Sequence, residues 1–230
     1  MQRKIRLMIG ILIMTGLIAG CWKVSKNLQK ELKEEMETIG EAEKSDGIVV
    51  LDAGHGGTDS GKVGINGVKE KDINLTITNS VKKILEKENI QVIMTRETDE
   101  QLAQSKVEDL KYRVSLMNEK KTSLAVSIHQ NSYHEENVFG AQVFYYKTST
   151  EGKKAAAVIQ EALQEVNPEN TKKIKANDTY YLLKRTEVPT IIVECGFLSN
   201  PEEAAKLTDA KYQKKMADAI TKGIIACVEN

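Results

Sequence analysis

The sequence predicts an α/β fold, a single domain whose mostly parallel or mixed central sheet is flanked by helices. Short β-branched runs such as Ile48-Val49-Val50-Leu51 and Thr190-Ile191-Ile192-Val193 have the length and composition of buried strands. Longer stretches between such runs space their apolar residues three and four apart, as one face of a helix requires. Strands alternating with helices are the pattern of a sheet covered by crossover helices.

Taken in order, residues 48–51 form the first strand, which runs into a glycine-rich loop over 53–67. Glu70 opens a helix over 70–89 with Ile73, Ile77, Val81, Ile84 and Leu85 on one face. Residues 91–94 make a second strand. The next helix, 106–119, carries Arg113 and places Val107, Leu110, Val114 and Met117 at core spacing. Residues 124–128 and 141–146 read as strands, and 151–166 as a helix that Pro168 helps to end. Residues 180–183 read as a short strand, 190–193 as a strongly apolar one, and 209–228 as a closing helix.

Ahead of this domain the chain changes character. Arg3, Lys4 and Arg6 precede sixteen uncharged residues, Leu7 to Trp22. A positive start, an apolar stretch and small residues at Ala19 and Gly20 describe an export segment. As a helix that stretch spans about 24 Å, a little short of the roughly 30 Å hydrocarbon core, so a cleaved signal and an uncleaved anchor both stay open. Ile18-Ala19-Gly20-Cys21 also resembles a lipobox, which would make Cys21 a lipidation site. Between Lys23 and Asp46 twelve of 24 residues are charged, as expected of a solvated linker or helix. The expected organisation is therefore 1–22 export segment, 23–46 linker and 47–230 catalytic domain. The membrane is expected to be engaged through the N-terminal segment only, which places the domain outside the cytoplasm, in the cell envelope.

Composition narrows the function. The chain balances 33 basic against 33 acidic residues and has no basic patch interleaved with aromatics, so nucleic acid is excluded as a partner. Cys21, Cys195 and Cys227 lie too far apart in sequence to form a C-x-x-C metal or redox motif, and Cys195 and Cys227 are expected to be free thiols.

The chemistry gathers at strand ends. His55 follows the first strand, His129 the third, and Glu194 ends the last, while Glu70 stands at the mouth of the first helix. Ligands of open α/β sheets bind beyond the carboxyl ends of strands. Two imidazoles and a carboxylate suit a catalytic zinc with one position left open, and a second carboxylate beside it suits a general base. Gly54, Gly56 and Gly57 let the loop bend sharply and leave a metal reachable. Each residue also has a plainer role: a lone histidine as a hydrogen-bonded structural group, Glu70 as a charge complementing the helix dipole. His134, in the polar stretch His134-Glu135-Glu136-Asn137, is expected to be structural. A carboxylate closing the apolar run 190–193 is harder to explain, since burying it without a partner is costly.

Five ordered motifs carry a family resemblance: Val50-Leu51-Asp52-Ala53-Gly54-His55-Gly56-Gly57; Glu70-Lys71 with Asn74-Leu75; Met94-Thr95-Arg96; Ser127-Ile128-His129-Gln130-Asn131; and Val193-Glu194-Cys195-Gly196-Phe197-Leu198-Ser199-Asn200. Together they resemble the type-3 family of zinc-dependent N-acetylmuramoyl-L-alanine amidases, over residues 47–228. The resemblance implies one zinc ion per chain, held by His55, Glu70 and His129, with Glu194 as the catalytic carboxylate and Asn131 in a substrate-binding position. It implies hydrolysis of the amide between muramic acid and L-alanine, with peptidoglycan glycan strands and their stem peptides as partner. The layout, with Thr95-Arg96-Glu97-Thr98-Asp99 leading to Lys106-Val107-Glu108-Asp109-Leu110, is most similar to the germination-specific, spore-cortex branch. A vegetative cell-separation enzyme and a non-catalytic wall-binding domain are the alternatives. No long insertion lies between Asn131 and Gly196 to plug the site, so any restraint on activity is expected from a regulatory protein in trans.

Overall fold

A computed structural model describes residues 22–23, 25–27, 30, 47–119 and 121–229. Nearly all of the expected export segment and linker, including Cys21, lies outside these residues. Among the described residues no helix is long and apolar enough to cross a membrane.

The folded unit, residues 46–230, is built on strands β1 (Ile48–Ala53), β2 (Val92–Met94), β3 (Thr122–Asn131), β4 (Gln142–Tyr146), β5 (Lys175–Asn177) and β6 (Thr190–Phe197). Its helices are α1 (Glu70–Lys87), α2 (Lys106–Met117), α3 (Thr150–Val166), α4 (Tyr181–Arg185), α5 (Pro201–Thr208) and α6 (Ala210–Val228). The six strands form one mixed sheet in the order β2-β1-β3-β6-β4-β5. β2, β1, β3 and β6 are mutually parallel, whereas β4 runs antiparallel to β6 and β5 follows β4. Because β1, β3 and β6 are neighbours and parallel, their carboxyl ends share one edge of the sheet.

Alternation along β1 shows how the layers form. Val49 and Leu51 face a large core with Ile73, Ile77, Val81 and Leu85 of α1, Ile159 and Leu163 of α3, and Ile220 and Ile224 of α6. Val50 faces the opposite side, where Met117 of α2 and Leu182 of α4 cover the sheet. Burial of apolar area at about 25 cal/mol per Å² is the main stabilising term on both faces. Side-chain caps fix the helix starts: Ser105 accepts from the Glu108 amide (3.3 Å), Asn200 from Glu203 (2.9 Å) and Asp209 from Tyr212 (2.9 Å).

Some elements differ from the sequence reading. Residues 180–183, expected as a strand, lie mostly in the short helix α4, because Asn177 Oδ1 accepts the Thr179 and Tyr180 amides (2.8 and 2.7 Å) and turns the chain out of β5. The short β5 and the helix α5 are additional elements. Val107, read as a core position, is 59% exposed. Strands β3 and β6 run past their expected ends to Asn131 and Phe197, so His129 and Glu194 lie within strands rather than beyond them. Cys195 and Cys227 are free thiols, the first buried.

Candidate metal and catalytic site

The site is assembled where β1, β3 and β6 end. Glu70 is the first residue of α1 and is buried at 4% exposure. Its Oε1 lies 2.9 Å from His129 Nδ1 and accepts from the Gln130 amide (3.1 Å) and Asn74 Nδ2 (3.3 Å). Its Oε2 lies 3.3 Å from His55 Nε2 and accepts from the Lys62 amide at 2.8 Å. The two imidazoles stand edge to face with centroids 5.0 Å apart. One ligand atom from each of His55, Glu70 and His129 lies within 4.8 Å of the others, so the group is able to hold a metal ion; among the described residues no other such group is found.

Backbone close to these side chains explains why the loop needs glycine at two positions. A Cβ on Gly54 would come within 2.2 Å of His129 Cε1 and Nε2. A Cβ on Gly61, which also has φ +62°, would come within 2.6 Å of Glu70 Oε2 and His55 Cδ2. His55 itself adopts φ 62°, a left-handed conformation uncommon for a residue with a side chain. Two buried arginines hold the backbone there. Arg113 donates to Ala53 O and His55 O, both at 2.8 Å, and Arg96 donates to Ala53 O (2.8 Å) and Gly54 O (3.0 Å). Asp52, fully buried, anchors Arg113 at 2.6 Å and accepts from Thr95 (2.6 Å) and Ser127 (2.5 Å). Burial alone would raise the Asp52 carboxyl; Arg113, Ser127 and Thr95 outweigh it and hold the pKa at about 2.

Glu194 is paired in register with His129 on the neighbouring parallel strand, and the register shifts immediately afterwards, before Asn131. Such irregularities re-aim side chains beside functional sites. Glu194 is 8% exposed, and its Oε2 has no hydrogen-bond partner among the described residues. Burial pushes its pKa up to about 7; His129 opposes this and Glu70 adds to it. Around His129 the balance is reversed. Burial would lower its pKa, but the hydrogen bond and charge of Glu70 lift it to about 9, and Glu70 in turn is held far below the usual carboxylate range despite its burial. A divalent cation here would displace protons from the imidazoles, as metal binding generally does.

The structure thus brings His55, Glu70, His129 and Glu194 together. Asn131 lines the same cleft, but its Oδ1 accepts from the adjacent Ser132 amide at 2.8 Å. His134 lies on the surface beside Glu135. Sequence reasoning did not single out Tyr180 and Tyr181, which line the cleft, nor the supporting roles of Asp52, Asp59, Arg96 and Arg113. Asp59 carried a legible signal, a carboxylate four residues beyond His55 in the glycine loop.

Fold and site define a class: an α/β domain with two histidines and a glutamate able to hold a cation, and a second buried glutamate beside them, at the carboxyl edge of its sheet. Residues 49–226 match the Amidase_3 family, N-acetylmuramoyl-L-alanine amidase. The germination-specific N-acetylmuramoyl-L-alanine amidase of Bacillus subtilis is 41% identical over 186 residues, 77% of this chain and 78% of that protein. Among solved structures, the CwlD amidase from Clostridioides difficile in complex with the GerS lipoprotein superposes with a TM-score of 0.76 at 38% identity, over 79% of this chain and 98% of that one. The catalytic domain of CwlV, an N-acetylmuramoyl-L-alanine amidase from Bacillus (Paenibacillus) polymyxa, gives a TM-score of 0.71 at 32% identity, over 78% and 97%. The chain belongs to the N-acetylmuramoyl-L-alanine amidase family.

Proposed function

We propose that this amidase uses one zinc ion, held by His55, Glu70 and His129, to hydrolyse the amide joining muramic acid to L-alanine in peptidoglycan. The observation that carries the reading is the meeting of this triad with Glu194, a buried carboxylate whose Oε2 is left without a protein partner. Two nitrogens and one carboxylate form an established catalytic zinc set, and Gly54 and Gly61 leave just the room the donors need. Bound zinc supplies Lewis acidity, polarising a carbonyl and bringing the acidity of water near neutral pH.

Glu194 is the group that moves the proton. Buried beside the cation site with its Oε2 free of protein partners, it accepts a proton from water and returns it to the departing amine of L-alanine, so that the amine leaves neutral. His129 is its register partner on the neighbouring strand, which sets that carboxylate beside the proposed ligands. The cleft lined by Asn131, Tyr180 and Tyr181 receives the muramoyl-peptide.

The similarity to the germination-specific enzyme supports a role in the spore cortex, where removing the stem peptide prepares muramic acid for lactam formation. The solved complex of a 38%-identical amidase with a lipoprotein supports a regulatory partner acting in trans. Action on peptidoglycan requires export, to which the N-terminal 22 residues are suited. The test is digestion of purified cortex-type and vegetative peptidoglycan by the full chain, with zinc content measured in parallel. Free stem peptides beginning with L-alanine are expected, lost on chelation and restored by zinc. A fully zinc-loaded chain that leaves muramoyl-peptide links intact would overturn the assignment.

A further inference from the structure

We propose that Asp59 is the positioning residue for His55, its carboxylate selecting the imidazole tautomer that leaves Nε2 free to bind the metal. This rests on the zinc reading above and extends it to a residue outside the proposed ligand set. His55 Nδ1 lies 3.0 Å from Asp59 Oδ2. An ionised carboxylate only accepts, so the proton of a neutral His55 must sit on Nδ1. The unprotonated nitrogen is then Nε2, the one that faces Glu70 Oε2 at 3.3 Å.

Asp59 is itself fixed. Its Oδ1 accepts from the Gly61 amide (3.1 Å), and its backbone exchanges both hydrogen bonds with Gly56 (3.0 Å each). Lys106 Nζ lies 3.2 Å from the same Oδ2. His55, meanwhile, is held at φ 62° by Arg113 on its carbonyl, so ring and carboxylate meet within one short, braced loop. Carboxylates that orient metal-bound histidines in this way typically contribute ~10–100-fold to metal affinity.

The geometry separates a tautomer role from a packing role. In Asp59→Asn the Gly61 amide still demands an acceptor at Oδ1, which turns the new NH2 toward His55 Nδ1. That favours the tautomer protonated on Nε2, the wrong one for binding. Asp59→Ala removes the preference without reversing it. The nearly isosteric Asn should therefore be the more damaging change.

The experiment measures zinc affinity of the full chain, kept in mild detergent, by competition with a chromophoric chelator. Wild type, Asp59→Ala and Asp59→Asn are compared, with the thermal midpoint of each metal-free chain as the folding control. The expected order is wild type tightest, Ala ~10–100-fold weaker, and Asn weaker still, with metal-free midpoints similar. Wild-type affinity in the Asn variant, or a larger loss for Ala than for Asn, overturns the proposal. Should a variant fail to fold, nitrogen-15 histidine NMR of the zinc-loaded wild-type chain decides: a proton on His55 Nδ1 with Nε2 on the metal supports it, and the reverse overturns it. A wild-type chain that binds no zinc would instead sink the zinc reading itself.

Discussion

Replacing Gly54 with alanine should cost the chain its metal while leaving its fold. The new Cβ would stand 2.2 Å from His129 Cε1 and Nε2, whereas ordinary contact begins near 3.4 Å. The ring must therefore give way by about 1.2 Å, the difference of those distances. His129 cannot retreat with its backbone, since β3 is paired to β1 on one side and β6 on the other. The imidazole must rotate or tilt instead, and metal–ligand distances tolerate only about 0.2 Å. Losing one of three protein ligands should weaken zinc binding by at least ~100-fold, more than an outer-shell change does. Gly54 has an ordinary φ, so alanine adds no backbone strain there, and overpacking of this kind costs about 1–3 kcal/mol. The assay pairs zinc content after dialysis with urea unfolding of the metal-free variant. A Gly54→Ala chain that retains stoichiometric zinc and releases stem peptides at the wild-type rate would show that His129 is not held as described.

Other substitutions and conditions separate chemistry from structure. Glu194→Gln should keep zinc, because its Oε2 has no protein partner to lose, but should lower stem-peptide release by ~100–10,000-fold, the usual range for a general base; unchanged turnover would move the base elsewhere. His129→Ala should lose the metal outright, read as zinc content below one-tenth of wild type. Acid stability should depend on Asp52, whose folded pKa of about 2 lies below the 3.8 of an unperturbed aspartate. The sign is that of a depressed carboxylate: about 2 kcal/mol of stability is present above pH 4 and is lost as pH falls through 2. Urea midpoints of the metal-free chain between pH 5 and 2 should show it, and the acid slope should shrink in Asp52→Asn; an identical slope would remove Asp52 from the account.

How much of this was readable in the chain depends on what kind of signal each part leaves. Ile48-Val49-Val50-Leu51 and the apolar stripe of α1 announce themselves by period, because burial repeats at the period of the element. Tyr180-Tyr181-Leu182-Leu183 does not: a short apolar run fits a buried strand or a helical turn equally, and a side chain outside it, Asn177, decides. β5 is a three-residue edge strand of Lys, Ala and Asn with no β-forming tendency to read. α5 was missed although its signal is present, since Asn200-Pro201-Glu202-Glu203 supplies a cap, a proline at the first position and an acidic first turn. The site residues were visible because histidine and carboxylate at strand ends are rare without cause. Their supports were not, since a buried Asp52–Arg113 pair joins residues 61 apart and only the fold brings them together.

Glu70 also ties the two histidines to the frame of the domain. Its two oxygens accept from the Lys62 and Gln130 amides and the Asn74 amide group, and each lies within 3.3 Å of one imidazole. Small zinc domains in which metal supplies the folding energy stay unfolded until they are loaded. Here a six-stranded sheet and its hydrophobic core frame the site, and the Glu70 carboxylate bridges the two imidazoles from the start of a helix packed on that core. Glu70 thereby joins the two histidines to a frame held by apolar burial, so that the geometry they present belongs to the protein itself.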